Sequence, residues 1–77
     1  MRKDEVARGV RVKLVEGYRP GSLLESQFIE AESIFIREQH VFNDSTGEYV
    51  WCVSEDAVLS TAFYLKDLEV YYPYYKM

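Results

Sequence analysis

Residues able to do chemistry are few in this chain. It holds a single histidine, His40, and a single cysteine, Cys52. A catalytic triad or a zinc site needs histidine with positioned partners, and His40 has none in any recognisable spacing. Cys52 lies between Trp51 and Val53 and reads as a core thiol, inert for want of a basic neighbour. Glu30, Glu32, Glu38, Glu55 and Asp56 could be imagined as paired carboxylates. Acid–base work would require two of them in environments different enough to split their pKa values. Their setting suggests solvated strand edges instead, where charge discourages edge-to-edge aggregation. The four glycines, Gly9, Gly17, Gly21 and Gly47, are isolated, so no phosphate-cradling loop is present. The expectation is a non-enzymatic protein with no cofactor and no metal.

Charge and aromatic content speak more clearly. The net charge of −4 is unevenly spread. Residues 1–19 hold six basic side chains against three acids, and residues 20–77 hold three against ten. An acidic body disfavours a phosphate backbone and suits a basic protein partner. The same surface could imitate nucleic acid and occupy the binding site of a host protein. Glu30, Glu32, Glu38, Glu55 and Asp56 are therefore candidate protein-binding residues, joined for mimicry by Glu25, Asp44 and Glu48. Seven tyrosines, four phenylalanines and one tryptophan give a short chain its bulk for burial. Tyr72, Tyr74 and Tyr75 flank Pro73 with little chain left to cover them. They form a candidate contact surface, for a foreign protein or for self-association. The alternative is a single-stranded nucleic-acid binder that stacks bases on tyrosines beside Arg11, Lys13 and Arg19. The acidic remainder makes nucleic acid the weaker partner. One cysteine excludes an internal disulfide, and no apolar run approaches a membrane span. A cytoplasmic protein of one domain follows, with 1–7 and 73–77 as peripheral tails.

These side chains must be carried by mostly extended elements. GVRVKLVEG alternates Val10, Val12 and Leu14 against Arg11 and Lys13, with glycine at both ends, as a half-buried strand does. Pro20 and Gly21 mark a turn. Over 22–40, Ser22 with Glu25 forms a capping box, and Leu24, Phe28, Ala31 and Phe35 fall at helical spacing. Against a helix, Ile29 and Ile36 lie off that stripe and SIFIRE has strand character. A loop and then a strand over about 28–42 is the expected form. The alternative is an α+β fold with a helix at about 22–38 packed on a three- or four-stranded antiparallel sheet. VFNDSTGEYVWCV is two apolar runs joined by turn chemistry, a hairpin with Tyr49, Trp51 and Val53 on one face and Val50 and Cys52 on the other. STAFYL is a further strand, and LKDLEVYY a tight turn into a last short one.

This order of elements resembles the Src-homology-3-like barrels of small bacterial and phage proteins. The resemblance lies in the GVRVKLVEG opening strand, the long loop with PG, the YVWCV hairpin and TAFYLKDLEVY, and it covers most of residues 8–72. It implies a mainly β, five-stranded barrel in which Leu65 and Leu68 plug one end and Glu69–Tyr71 pairs with the first strand. It implies an interaction module of the accessory or inhibitor kind and no catalysis. No ALYDY-like stretch is present, so the proline-rich peptide groove of the eukaryotic domains is not implied.

Overall fold

The computed structural model describes residues 1–30 and 33–71, with Glu30 described by its backbone alone. The elements are a 3₁₀ turn at Lys3–Glu5, β1 (Arg11–Leu14), α1 (Leu23–Glu30), β2 (Ile34–Ile36), β3 (Phe42–Asn43), β4 (Glu48–Ser54), β5 (Ser60–Tyr64), a second 3₁₀ turn at Leu65–Asp67, and β6 (Leu68–Val70). All ladders are antiparallel, and the fold is mainly β. The long strand β4 is the hub: β2 and β3 lie along one flank and β5 along the other. β1 then pairs with β2, and β6 with β1.

Alternation decides which residues enter the core. Along β4, Val50, Cys52 and Ser54 are buried while Tyr49, Trp51 and Val53 stay half-exposed. Val12, Ile34, Ile36 and Phe63 come in from the neighbouring strands, with Leu65 and Leu68 from the last turn and strand. Leu65 is 6% and Leu68 0% exposed, so both belong to the core. β1 is delimited by Gly9 and Gly17, both at φ +88, a region open to glycine without steric cost. The opening residues do more than trail at the periphery. Val6 is buried in the core, and the Met1 ammonium donates to the carbonyls of Leu65 at 3.1 Å and Leu68 at 2.7 Å.

Two expectations need correcting. The strand expected over 28–42 is mostly something else. Phe28 and Ile29 belong to α1, because Ser22 starts a helix: its Oγ accepts from the Glu25 N–H at 3.2 Å and its carbonyl from the Ser26 N–H at 3.1 Å. A helix of the alternative reading exists, over Leu23–Glu30, and the IFI stretch is strand. Phe28 is the one buried apolar side chain among the described residues of α1, edge-on to Phe63 at 5.5 Å between ring centres. The second correction concerns the barrel. There are six strands rather than five, since the partner of β4 is interrupted. Pairing passes from Ile36 opposite Cys52 to Phe42 opposite Tyr49, so one side advances six residues while β4 advances three, and β2 and β3 separate. The sheet is also not closed into a barrel. β5 and β6 meet at a corner through the Leu65–Asp67 turn, which redirects the chain onto β1, and no ladder joins them among the described residues.

Candidate binding face

Register brings together aromatic residues far apart in sequence. Phe42 pairs with Tyr49, and Tyr49 with Tyr64 on its other side. Side chains at directly opposed positions share a face, so three rings form a row across β3, β4 and β5. Phe42 and Tyr49 stack at 5.5 Å, and Tyr49 meets Tyr64 edge-on at 6.1 Å. His40 extends the row, edge-on to Phe42 at 4.2 Å. One step along β4, Trp51 stands beside Ala62 on the same face, and Val53 is flanked by Phe35 and Ser60. Phe42, Tyr49, Trp51, Val53 and Tyr64 are all half-buried: their inner edges rest on the sheet and their outer edges meet solvent.

Polar groups pin this face at its margins. The Arg37 guanidinium lies 5.4 Å from the Trp51 ring centre and donates to Ser60 Oγ at 3.0 Å. Lys66 Nζ lies 5.6 Å from the Tyr64 ring centre. The Tyr64 hydroxyl donates to Asp44 Oδ2 at 2.8 Å, while Asp44 Oδ1 accepts from the N–H groups of Thr46 and Gly47. These bonds, the Thr46 N–H first, hold the Asp44 carboxyl below the usual aspartate value of 3.8. The NDSTG hairpin loop thus locks one end of the aromatic row. Lys3 pairs with Glu48 at 2.7 Å beside it.

Most sequence-chosen residues lie elsewhere. Glu38 is half-buried in the segment looped out between β2 and β3. Glu55 and Asp56 occupy the exposed β4–β5 turn, where Asp56 Oδ1 accepts from Ser54 Oγ at 2.7 Å and the Val58 N–H at 3.1 Å. Asp56 is a turn cap. Its carboxyl is held low by the Ser54 hydroxyl and then by the Val58 N–H. Glu32, Tyr72, Tyr74, Tyr75 and the side chain of Glu30 lie outside the described residues. Of the alternative set, Arg11 and Lys13 stand on β1 beside a cavity of about 230 Å³, with the Arg11 guanidinium 4.1 Å from the Tyr71 ring centre. Arg19 lines a different cavity, of about 560 Å³, between the β1–α1 loop and β5. The three cations do not converge on one site.

That larger cavity is bordered by Tyr18, Glu25, Phe63, Tyr64 and Lys66. Glu25 Oε1 accepts from the Tyr18 hydroxyl at 2.6 Å and from the Gly21 N–H at 2.7 Å. Burial, and then this carboxylate, push the Tyr18 hydroxyl well above its ordinary pKa. The predicted capping box is therefore shifted: Glu25 returns to Gly21 rather than to Ser22. Cys52 is fully buried, and burial pushes its thiol up to about 12. Among the described residues, no three His, Cys, Asp or Glu side chains cluster as metal ligands, and no helix is long and apolar enough to cross a membrane.

The aromatic row escaped the sequence reading because it depends on two ladders at once. A signal for its first half existed, since a hairpin centred on NDSTG sets Phe42 near Tyr49. Tyr64 joins only through the β4–β5 register. No protein-family model, curated protein or solved structure matches the chain.

Proposed function

We propose that the chain is a non-enzymatic protein-binding module, related to the small Src-homology-3-like proteins of bacteria and phages, that docks on a basic protein through the outer face of β3, β4 and β5. The observation that carries this is the half-exposed row Phe42–Tyr49–Tyr64 with Trp51 beside it. Half-buried aromatic clusters offer large contact area on side chains already held in place, the composition of interface hot spots. The kinship is supported by the order β6-β1-β2-β4-β5 and by Leu65 and Leu68, buried where the 3₁₀ turn leads into the last strand. A basic partner is favoured by the chain's net charge of −4.

Phosphate mimicry is the less favoured form of this reading. Glu25, Asp44, Glu48 and Asp56 direct their carboxylates to partners within the chain, so they act as caps and ties more than as a free phosphate-like row. The test is recovery of a stoichiometric partner from nuclease-treated lysate, compared between the wild type and Trp51→Ala, followed by a salt titration with the purified pair. The expected result is one protein held by the wild type, lost with Trp51→Ala, and released progressively by salt. Recovery that is abolished by nuclease would turn the reading to single-stranded nucleic acid stacked on the same rings.

A further inference from the structure

Among the described residues three strands have a neighbour on one side only, the two-residue β3 and the longer β5 and β6, and the chain treats the two longer edges differently. On β6, Val15 N–H donates to Asp67 O and Tyr71 N–H to Arg11 O, each at 2.9 Å. Asp67 and Tyr71 thus face β1, and Leu68 and Val70 turn their backbone groups outward. The outward Leu68 carbonyl is taken by the Met1 ammonium at 2.7 Å.

Among the described residues, β5 has no such cover. Ser54 N–H donates to Leu59 O at 3.0 Å, which sets the phase of the β4–β5 ladder. Leu59, Thr61 and Phe63 bond toward β4, and the N–H and C=O groups of Ser60, Ala62 and Tyr64 point away from it. The Tyr64 carbonyl is taken up by the 3₁₀ turn that follows it, and among the described residues the other outward groups have no hydrogen-bond partner. The strand, STAFY, carries neither charge nor proline, the usual devices that blunt an exposed edge. The open cavity of about 560 Å³ lies beside its second half, with Val15, Gly17 and Tyr18 across from Ala62 and Tyr64.

We infer that β5 is an association edge for a second copy of the chain, the two strands pairing antiparallel about a two-fold axis at Ala62. Charge selects this arrangement. Exposed Glu55 and Asp56 sit in the turn before β5, and exposed Lys66 follows it. Antiparallel pairing sets each Lys66 beside the other copy's Glu55–Asp56 turn, whereas parallel pairing would bring like charges together. Val58, 75% exposed at the same end, is covered by the same contact. Ser60 opposite Tyr64 and Ala62 opposite Ala62 give about four inter-chain hydrogen bonds, with the Tyr64 carbonyls already used by the turn. A single strand edge belongs to the small interfaces, below about 1,200 Å², so the dimer is weak and concentration-dependent. It is independent of docking through the aromatic face, and Trp51→Ala leaves it intact.

Sedimentation of the wild type across the micromolar to millimolar range, beside Ala62→Pro, Lys66→Glu, Glu55→Lys and the double charge swap, tests the inference. The wild type is expected to dimerise reversibly. Ala62→Pro removes an N–H that β4 does not use, and should weaken the dimer by at least about tenfold, a change of 1.4 kcal/mol. Each single charge reversal should weaken it, and the double swap should restore it. A monomer at every concentration overturns the inference, as does a dimer indifferent to these changes or a double swap as weak as the singles. Far-ultraviolet circular dichroism checks that the proline variant is folded; if it is not, the charge series alone decides.

Discussion

Removing the ring of Phe28 should be the most damaging single change in the first half of the chain. α1 is eight residues long, too short to be stable alone in water. Its other large apolar residues do not hold it: Leu23 is 76%, Leu24 38% and Ile29 43% exposed. Phe28 is 0% exposed and meets Phe63 edge-on at 5.5 Å. Truncating a buried phenylalanine to alanine costs about 3–5 kcal/mol, of which about 0.5–1.5 kcal/mol belongs to the aromatic pair itself. A chain of 77 residues has a total stability of roughly 4–11 kcal/mol. Phe28→Ala therefore removes a large share, and α1 should detach before the sheet melts. Urea unfolding of Phe28→Ala, Leu23→Ala and the Phe28–Phe63 double-mutant cycle measures each quantity. Leu23→Ala should lie within about 0.5 kcal/mol of the wild type. Equal losses from Phe28→Ala and Leu23→Ala would refute the reasoning, since the helix would then be held along its length.

Two further predictions concern pH. Asp44 has a depressed carboxyl in the folded chain, so its contribution is complete above its ordinary value of 3.8 and is lost as the pH falls through the lower folded value. Melting temperature against pH should therefore drop less steeply on the acid side for Asp44→Asn than for the wild type. Cys52 behaves in the opposite sense. Its thiol rises from 9.0 to about 12 on folding, so stability is complete below 9.0 and falls as pH rises through that window, by about 1.4 kcal/mol per pH unit. Cys52→Ala should lower stability at neutral pH yet remove that share of the alkaline slope, and a thiol reagent should react with the wild type only at its rate of opening.

Legibility in the sequence followed the length of each pattern. The apolar run after NDSTG made β4 readable with its two faces, Val50 and Cys52 on one and Tyr49, Trp51 and Val53 on the other, and burial alternates accordingly from Tyr49 to Ser54. Turn chemistry at NDSTG located the hairpin, and Asp44 does fold back on that loop. Where a pattern was carried by one residue, it failed. Of Leu24, Phe28, Ala31 and Phe35, which fall at helical spacing, Phe28 is the one that α1 buries among the described residues, and the strand character of SIFIRE prevailed although it described only Ile34–Ile36. The looped-out residues between β2 and β3 could not be foreseen, because a register change leaves no periodic trace. Asp56 was read as a solvated charge. The Ser54–Glu55–Asp56 sequence held a better signal, since a carboxylate two residues past a buried serine is well placed to cap a turn.

The pairing of β1 with both β2 and β6 sets an order of events during synthesis. Val12 aligns with Ile34 on one side and with Val70 on the other. At about 5–20 residues per second, the second partner appears roughly 3–12 s after β1 has been made. For that interval one flank of β1 is bare, on a chain whose core is still incomplete. Lys13, exposed on the strand's outer face, and Arg11 beside it place positive charge within the segment most at risk of pairing with a neighbouring nascent chain. Charges in that position act as gatekeepers. The basic residues that looked like a handle for nucleic acid thus have a second reason to stand in β1, which applies before the fold exists.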